Sequence, residues 1–228
     1  VLRNGGPAAP GPQIAVLYVD DEPALLELTT LFLGRDGDLA IDTALSAKEG
    51  LARLGEHAYD VIVADYLMPG MDGIEFLKQL RATGCTIPFI IFTGKGREDV
   101  AIEALNSGAD FYLQKGGDPK SQFAELANMI RQAAHKRRAE EALRENEQRY
   151  RSVVEDQTEF ICRFLPDGTH IFVNDAYCRY FNRARDEIIG HRFIPRIPAG
   201  DAVRVRAHLA SLTPDHPAAT LRHRIVMP

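Results

Sequence analysis

Short apolar runs alternate with longer amphipathic stretches over the first half of the chain. The runs are rich in Val, Ile and Phe and show no strict apolar–polar alternation, which is typical of strands buried on both faces. They predict five strands, at residues 14–19, 39–44, 61–64, 88–92 and 111–113.

The stretches between these strands have the periodicity of helices. Ser46 is predicted to cap the second helix, and Gly108 to end the fourth. This alternation predicts an α/β fold, a doubly wound five-stranded parallel sheet with helices on both faces and ligands beyond the carboxyl ends of the strands. The apolar positions that mark the four helices are Leu25, Leu28, Leu31 and Phe32, which share one face of the first, then Leu51 and Leu54, then Ile74, Phe76, Leu77 and Leu80, and finally Val100, Ile102, Ala104 and Leu105.

The pattern changes after Ser121. No Gly or Pro interrupts residues 121–164, and this predicts one long helix. Its charge-dense part, residues 131–151, has two interpretations that stay open: a coiled-coil dimer with a narrow apolar stripe, or a solvated helix stabilised by Glu–Arg pairs. One helix face is predicted to carry Phe123, Leu126, Ile130, Ala133 and Ala134.

A second, smaller unit is predicted after about residue 150. Apolar runs at 160–164 and 171–174 flank a Pro-Asp-Gly turn and predict a hairpin. Helices are predicted at 176–181 and 201–212, and a further strand at 219–227. The resulting organisation is a flexible tail at 1–13, a first domain at 14–120, a helical linker at 121–152 and a second, α+β domain at 153–228.

Composition and charge narrow the function classes. The net charge of -5 over 228 residues, without a clustered basic patch, argues against a nucleic-acid partner. No apolar run approaches the ~20 residues of a membrane span, so no membrane partner is expected. Three cysteines without paired spacing indicate a reducing compartment, and we predict a cytoplasmic location. The tail is rich in Gly, Pro and Ala and does not resemble a signal peptide.

Polar side chains follow four of the predicted strands. Asp20 and Asp21 come after the first, Asp65 after the third, Thr93 after the fourth and Lys115 after the fifth. Each taken singly is more often a cap, a turn residue or a surface lysine. Together, at strand ends that meet along one edge, the carboxylates would repel one another unless a cation such as Mg²⁺ neutralised them. The hydroxyl and the ammonium would then stabilise a transferring phosphoryl group.

These residues lie in segments that resemble the response regulator receiver family: VDDEP at 19–23, DYLMPGMDG at 65–73, FTG at 92–94 and GADFYLQK at 108–115. The resemblance implies a flavodoxin-like fold and a phosphoryl group accepted on Asp65 from a histidine kinase, in a self-catalysed transfer. It also implies catalytic roles for Thr93 and Lys115 and a switch formed by Thr93 and Tyr112. The implied Mg²⁺ ligands are Asp20, Asp21, Asp65 and the backbone carbonyl of Leu67.

One departure from that family follows Lys115. The family usually has Pro directly after the lysine, whereas this chain has Gly116-Gly117-Asp118-Pro119. Because glycine tolerates unusual backbone angles, Lys115 can still be placed, but we expect a looser loop.

The later segments RENEQRYRSVVE at 144–155, FICRF at 160–164, PDG at 166–168, FVNDAYC at 172–178 and IIG at 188–190 resemble the opening of a PAS sensor domain. The domain is expected to be incomplete at its C-terminal end. The Asn-Cys-Arg-Phe motif of flavin photoreceptors is replaced by Gly190-His191-Arg192-Phe193, so flavin photochemistry is not expected. His170, His191 and His208 are isolated, and each is predicted to be a surface or core residue, not a haem ligand.

The leading hypothesis is a two-component signalling module in which the receiver relays its phosphorylation to a PAS sensor module, with a possible homodimer through the linker helix or the receiver. The alternative is the N-terminal part of a larger receiver- and PAS-containing sensor histidine kinase. No kinase phosphoacceptor box or Gly-rich ATP loop is recognised in these residues. A haloacid-dehalogenase-like phosphatase is disfavoured because Asp20-Asp21-Glu22 does not fit its Asp-x-Asp motif. The absence of a helix-turn-helix pattern disfavours a DNA-binding regulator.

Overall fold

The computed structural model describes residues 13–94, 98–192, 197–213, 215, 218, 220–224 and 226. The predicted tail at 1–13 therefore lies almost wholly outside the described residues. The chain divides into two compact units, Val1–Leu143 and Arg144–Pro228, and each is described by itself. No helix among the described residues has the length and apolar character needed to cross a bilayer.

The first unit contains the predicted five-stranded sheet. Every neighbouring pair of strands is parallel, and the strand order is β2-β1-β3-β4-β5. All residues of β3 and β4 are buried, as expected for the centre of a sheet covered on both faces. The strands are β1 Ile14–Val19, β2 Leu39–Ala44, β3 Val61–Ala64, β4 Phe89–Thr93 and β5 Phe111–Gln114, which confirms the predicted positions to within one residue.

Five helices follow these strands, and their first residues show why they begin where they do. Pro23 occupies the first turn of α1, Ser46 Oγ accepts a hydrogen bond from the Glu49 amide as predicted, and Asp72 forms a capping box with Glu75. Gly108 has a positive φ of 96° just after α4. The helices are α1 Pro23–Leu33, α2 Ala47–Glu56, α3 Gly73–Ala82, α4 Glu98–Asn106 and α5 Pro119–Glu155.

The apolar positions that mark α1 and α4 are not all buried. In α1, Leu28 and Leu31 are 38% and 70% exposed, and Leu26, Thr29 and Leu33 are buried in their place. In α4, Val100 and Ala104 are buried but Ile102 and Leu105 are exposed. Both helices carry leucines or isoleucines on two faces, so the apolar spacing alone could not determine which face meets the sheet.

The sheet separates two hydrophobic cores. One lies under α2, α3 and α4 and includes the edge-to-face pair Phe76–Phe89. The other lies under α1 and α5 and includes Phe123, which stacks on Phe32 at 5.0 Å between ring centroids. The predicted face of α5 is buried in the core under α1 and α5 as far as Ala134, so α5 packs on the first unit beyond residue 120, the predicted end of the first domain.

The second unit is a small α+β arrangement. Strands β6 Cys162–Phe164 and β7 His170–Val173 pair antiparallel across the predicted turn. Helices α6 Asp175–Phe181, α7 Arg185–Ile188 and α8 Ala199–Ala210 follow, of which α7 was not predicted. The strand predicted at 219–227 is not found: residues 220–224 and 226 have no strand structure, and the remaining positions of that segment lie outside the described residues.

Asn174 organises the second unit. The residue is fully buried, and its Oδ1 accepts hydrogen bonds from the amides of Ile161 and Tyr177 at 3.0 and 3.1 Å. Its Nδ2 donates to the carbonyls of Val154 and Glu159 at 3.2 and 2.8 Å. One side chain therefore caps α6 and joins the end of α5 to the segment before β6.

Candidate functional site

The carboxyl ends of the strands carry the predicted site residues. Asp20 and Asp65 follow the adjacent strands β1 and β3, and their backbone amides continue the sheet by donating to Ala44 and Val19. Thr93 is the last residue of β4, and Lys115 follows β5. The strand order therefore places the two acids side by side, with the hydroxyl and the lysine on the far side of Asp65.

Lys115 joins the two carboxylates. Its Nζ lies 2.7 Å from Asp20 Oδ2 and 3.1 Å from Asp65 Oδ1. The Lys115 amide donates to the Thr93 carbonyl at 2.8 Å, and its ammonium lies 5.5 Å from the centre of the Phe92 ring. Three predicted site residues from three strands are thus brought into direct contact.

Asp20 is completely buried. Its Oδ1 accepts a hydrogen bond from the Glu22 amide at 3.0 Å, and its Oδ2 contacts Lys115. Burial raises the pKa of the Asp20 carboxyl above its usual value, although Lys115 acts in the opposite direction. Burial therefore disfavours the negative charge of Asp20, and Lys115 compensates it in part.

Asp65 is buried, and one of its two carboxylate oxygens accepts no hydrogen bond from the described residues. It is 8% exposed, and its Oδ2 accepts a hydrogen bond from the Leu67 amide at 3.2 Å. Its Oδ1 is buried and, apart from the ion pair with Lys115, accepts no hydrogen bond from the described part of the chain. An oxygen in this position has a lone pair available for a cation or an electrophile.

Thr93 and Tyr112 lie on neighbouring strands. Thr93 is 1% exposed, and Tyr112 pairs in register with Ile91, two positions before Thr93. The Tyr112 hydroxyl is buried and has no hydrogen-bond partner among the described residues. Burial also raises the pKa of that hydroxyl.

The remaining predicted metal ligands are less enclosed. Asp21 is half-buried, and Leu67 is 44% exposed. Within the ranges the structure describes, no three His, Cys, Asp or Glu side chains are grouped as a ready metal site. Mg²⁺ is typically held by one or two carboxylates with waters and phosphate oxygens. The pair of Asp20 and Asp65 fits a magnesium ion, because Oδ1 of Asp65 accepts no hydrogen bond from the described residues.

Gly73 is a site residue whose role the sequence did not reveal. Its amide donates to the Tyr66 carbonyl at 2.9 Å, and a Cβ at this position would overlap the carbonyl oxygen of Asp65. In the sequence it appeared only as the last residue of the DYLMPGMDG segment, and a motif does not show which backbone approaches a glycine.

Comparison with known proteins decides the family. The response regulator receiver domain family matches residues 16–131, which is half of the chain. The chain belongs to this family. The match ends within α5 and does not reach the second unit. Receiver domains generally bind Mg²⁺ at their acidic pocket.

Individual relatives agree with this assignment. The chain is 34% identical over 137 residues to the transcriptional regulatory protein TrcR of Mycobacterium tuberculosis, covering 60% of this chain and 53% of TrcR. It is 35% identical over 119 residues to ResD of Bacillus subtilis, covering 52% of this chain and 49% of ResD. The chain thus spans about half the length of these relatives. The receiver domain of the Francisella response regulator 1452 is 31% identical with a TM-score of 0.50, covering 54% of this chain and 98% of that domain.

A separate cavity of about 570 Å³ lies in the second unit. Its polar groups include His170 and Tyr177, whose Nε2 and hydroxyl are 3.3 Å apart. Burial raises the pKa of the Cys162 thiol, which favours its neutral form. Asp167 is the one carboxylate of the described lining. The apolar and aromatic side chains of the lining are Phe160, Phe164, Pro166, Tyr177, Phe181, Ile197, Val205 and Leu209.

Proposed function

We propose that Asp65 is the phosphoacceptor of a two-component signalling protein. The observation that carries this proposal is the buried Oδ1 of Asp65, which accepts no hydrogen bond from the described residues and lies beside the Lys115 ammonium, at the edge of the sheet where Asp20 also lies. Members of the receiver family accept phosphoryl groups from histidine kinases. We therefore propose a histidine kinase as the phosphodonor.

In the proposed transfer, an Asp65 carboxylate oxygen attacks phosphorus. A new O–P bond forms while the P–N bond to the donor histidine breaks, and the electron pair of that bond stays on the imidazole nitrogen, which is then protonated. Lys115 compensates negative charge on the transferring group, and the Thr93 hydroxyl donates to a phosphoryl oxygen.

Asp20, Asp21, Asp65 and the carbonyl of Leu67 would hold Mg²⁺, which supplies positive charge to the phosphoryl oxygens when bound. The switch role proposed for Thr93 and Tyr112 is supported by the buried Tyr112 hydroxyl that lacks a described partner. When the Thr93 hydroxyl is drawn to the phosphoryl group, the Tyr112 side chain changes its position in response.

The test of the phosphoacceptor is Asp65→Asn. Because the amide is a poor nucleophile, we expect this variant to take up no label from radioactive acetyl phosphate with Mg²⁺, while its thermal unfolding stays close to that of the wild type. Labelling of Asp65→Asn at the wild-type level would refute the proposal. Chelation of Mg²⁺ with EDTA is expected to abolish wild-type labelling.

We also propose that the second unit is a PAS sensor module that binds a neutral, mainly apolar ligand in its cavity. Most of the described lining is apolar or aromatic. Its one carboxylate, Asp167, accepts hydrogen bonds from the backbone amide and hydroxyl of Thr169, and no Lys or Arg is among the described lining residues. A cavity of this size and composition is typical of small-molecule sites. If the chain is instead the N-terminal part of a larger sensor histidine kinase, the same module would precede a catalytic domain, and the length of the gene separates these alternatives.

Two valines on α8 provide a matched test of the cavity. Val205 lines it, whereas Val203 is 66% exposed and is not part of its lining. With the neutral dye Nile red as probe, we expect saturable binding by the full chain that Val205→Trp weakens at least about fivefold through loss of volume. Val203→Trp should bind the dye as the wild type does; equal binding by all three proteins would contradict the proposal.

A homodimer through α5 or the receiver remains a prediction. Phosphorylation at Asp65 followed by measurement of mass and elution volume tests the chemistry and the association in one experiment.

A further inference from the structure

A side chain from α5 holds the backbone on both sides of Lys115. Gln122 Nε2 donates to the carbonyl of Gln114 at 2.9 Å and to the carbonyl of Gly116 at 3.1 Å. A primary amide has two N–H donors, and each carbonyl is only an acceptor, so both donors are used. The two hydrogen bonds bracket a single residue, the lysine of the site.

The two hydrogen bonds from Gln122 hold a segment whose backbone is intrinsically flexible. Gly116 and Gly117 follow Lys115 directly, and Gly117 adopts a left-handed conformation with φ of 82°. Glycine has the largest backbone conformational freedom of any residue, and the lysine side chain is itself flexible. The sequence predicts a looser loop here, whereas the structure shows one that is fixed by hydrogen bonds.

Gln122 is itself firmly placed. The backbone amide of Gln122 donates to the Asp118 carbonyl at 3.1 Å. The backbone amide and the hydroxyl of Ser121 both donate to Asp118 Oδ2 at 2.9 Å. The next residue, Phe123, is buried and stacks on Phe32. The first turn of α5 is thus anchored in the core and can hold the loop in one conformation.

We propose that Gln122 is a positioning residue for phosphoryl transfer at Asp65 and acts through Lys115. The inference rests on the proposed function of Asp65. It assigns to Gln122 the task of fixing the peptide from which the Lys115 ammonium reaches Asp20 and Asp65, at 2.7 and 3.1 Å. Small displacements of a charge-stabilising group slow a reaction strongly, because its benefit depends on geometry.

The test compares Gln122→Met with Gln132→Met in the full chain. Met keeps the length of glutamine but has no N–H donor, and Gln132 is an exposed glutamine on the same helix. With acetyl phosphate and Mg²⁺, we expect Gln122→Met to lower the maximal labelling rate on the order of tenfold and to change the half-saturating acetyl phosphate concentration less than about twofold. Gln132→Met should label at the wild-type rate.

A second pair of variants separates positioning from a general loss of structure. If Gln122 acts through Lys115, Gln122→Met should have no further effect in a Lys115→Met background. An equal tenfold loss in that background would overturn the inference. Gln122→Glu, which has the same shape without the donors, should be as slow as Gln122→Met and provides the comparison if Met lowers the thermal stability.

The outcomes for this inference and for the proposed function differ. A wild type that takes up no label at Asp65 would overturn both. A wild type that labels at Asp65, together with a Gln122→Met variant that labels equally fast, would overturn the role of Gln122 alone.

Discussion

Gly73 shows how closely a single residue can constrain the site. Its Cα lies against the backbone of Asp65, and it is also the first residue of α3. The same helix begins with the capping box of Asp72 and Glu75. The backbone of Asp65, the proposed phosphoacceptor, is therefore packed directly against the start of a well-formed helix, at a glycine that has no side chain.

We expect Gly73→Ala to destabilise the first unit by about 1–3 kcal/mol, because the added methyl group must displace backbone atoms of Asp65. Gly55→Ala is the matched control: Gly55 lies in α2, a methyl group added to it would have no atom within 4 Å, and alanine favours helices by roughly 0.5–1 kcal/mol. Urea unfolding should therefore shift in opposite directions for the two variants. A stable Gly73→Ala would contradict the close approach.

At this scale the sequence identified the charged groups but not their contacts. Asp20, Asp65 and Lys115 could be selected because acids and a lysine at strand ends are chemically distinctive. Gln122 and Gly73 could not, since each acts on backbone atoms whose positions depend on the folded loop. Motif spacing contains no information on such contacts.

The attachment of α5 to the sheet is a feature of whole elements. Arg131 forms a bidentate ion pair with Asp38, with hydrogen bonds of 2.7 and 3.0 Å, and also contacts Asp36 at 2.9 Å. Further along the helix, Arg138 contacts Asp60 at 2.7 Å, and Asp60 accepts a hydrogen bond from the Ala15 amide. Charged groups thus fix α5 to the amino-terminal edge of the sheet, opposite the site.

The pair of Asp38 and Arg131 predicts a pH dependence of stability. The hydrogen bonds from Arg131 hold the pKa of Asp38 below its usual value, so the unfolded chain binds more protons. The contribution to stability is present above the ordinary carboxyl pKa of about 4 and is lost as the pH falls through the lowered value.

Asp38→Asn should therefore be less stable than the wild type at pH 7, by about 0.5–1 kcal/mol after solvent screening, and the difference should shrink at pH 3. Urea unfolding at the two pH values measures it. The exposed acid Glu27 on α1 provides a control, and Glu27→Gln should leave stability nearly unchanged at both. A constant difference for Asp38→Asn would contradict the ion-pair explanation.

Element positions were predictable because strand and helix periodicities differ, and the five strands were located to within one residue. The orientation of α1 and α4 was not. Thr29 is buried in α1 while Leu31 is exposed, so tertiary packing overrides the apolar pattern. In the second unit, Asn174 fixes the chain by side-chain hydrogen bonds, which leave no periodic signal.

The whole molecule contains separate cores. Phe89 is fully buried in the first unit, and Phe181 is buried in a small cluster with Val173, Tyr177 and Ile188 in the second. Because each unit has its own buried apolar side chains, the chain is not expected to unfold in a single two-state transition.

We expect two thermal transitions by calorimetry. Phe89→Ala should destabilise the first unit by about 3–5 kcal/mol and lower one transition only, whereas Phe181→Ala should lower the other. A single transition that moves with both variants would show that the units unfold together.

The two hydrogen bonds from Gln122 to the backbone on either side of Lys115 have a consequence for related receivers. Where the residue after the site lysine is a proline, its ring restricts φ and stiffens the loop, so we expect the position that matches Gln122 to vary. Where two glycines stand there, an amide side chain seven residues after the lysine should accompany them. Substitution of one without the other would leave the lysine on an unsupported backbone, so we expect the two features to be gained and lost together during evolution.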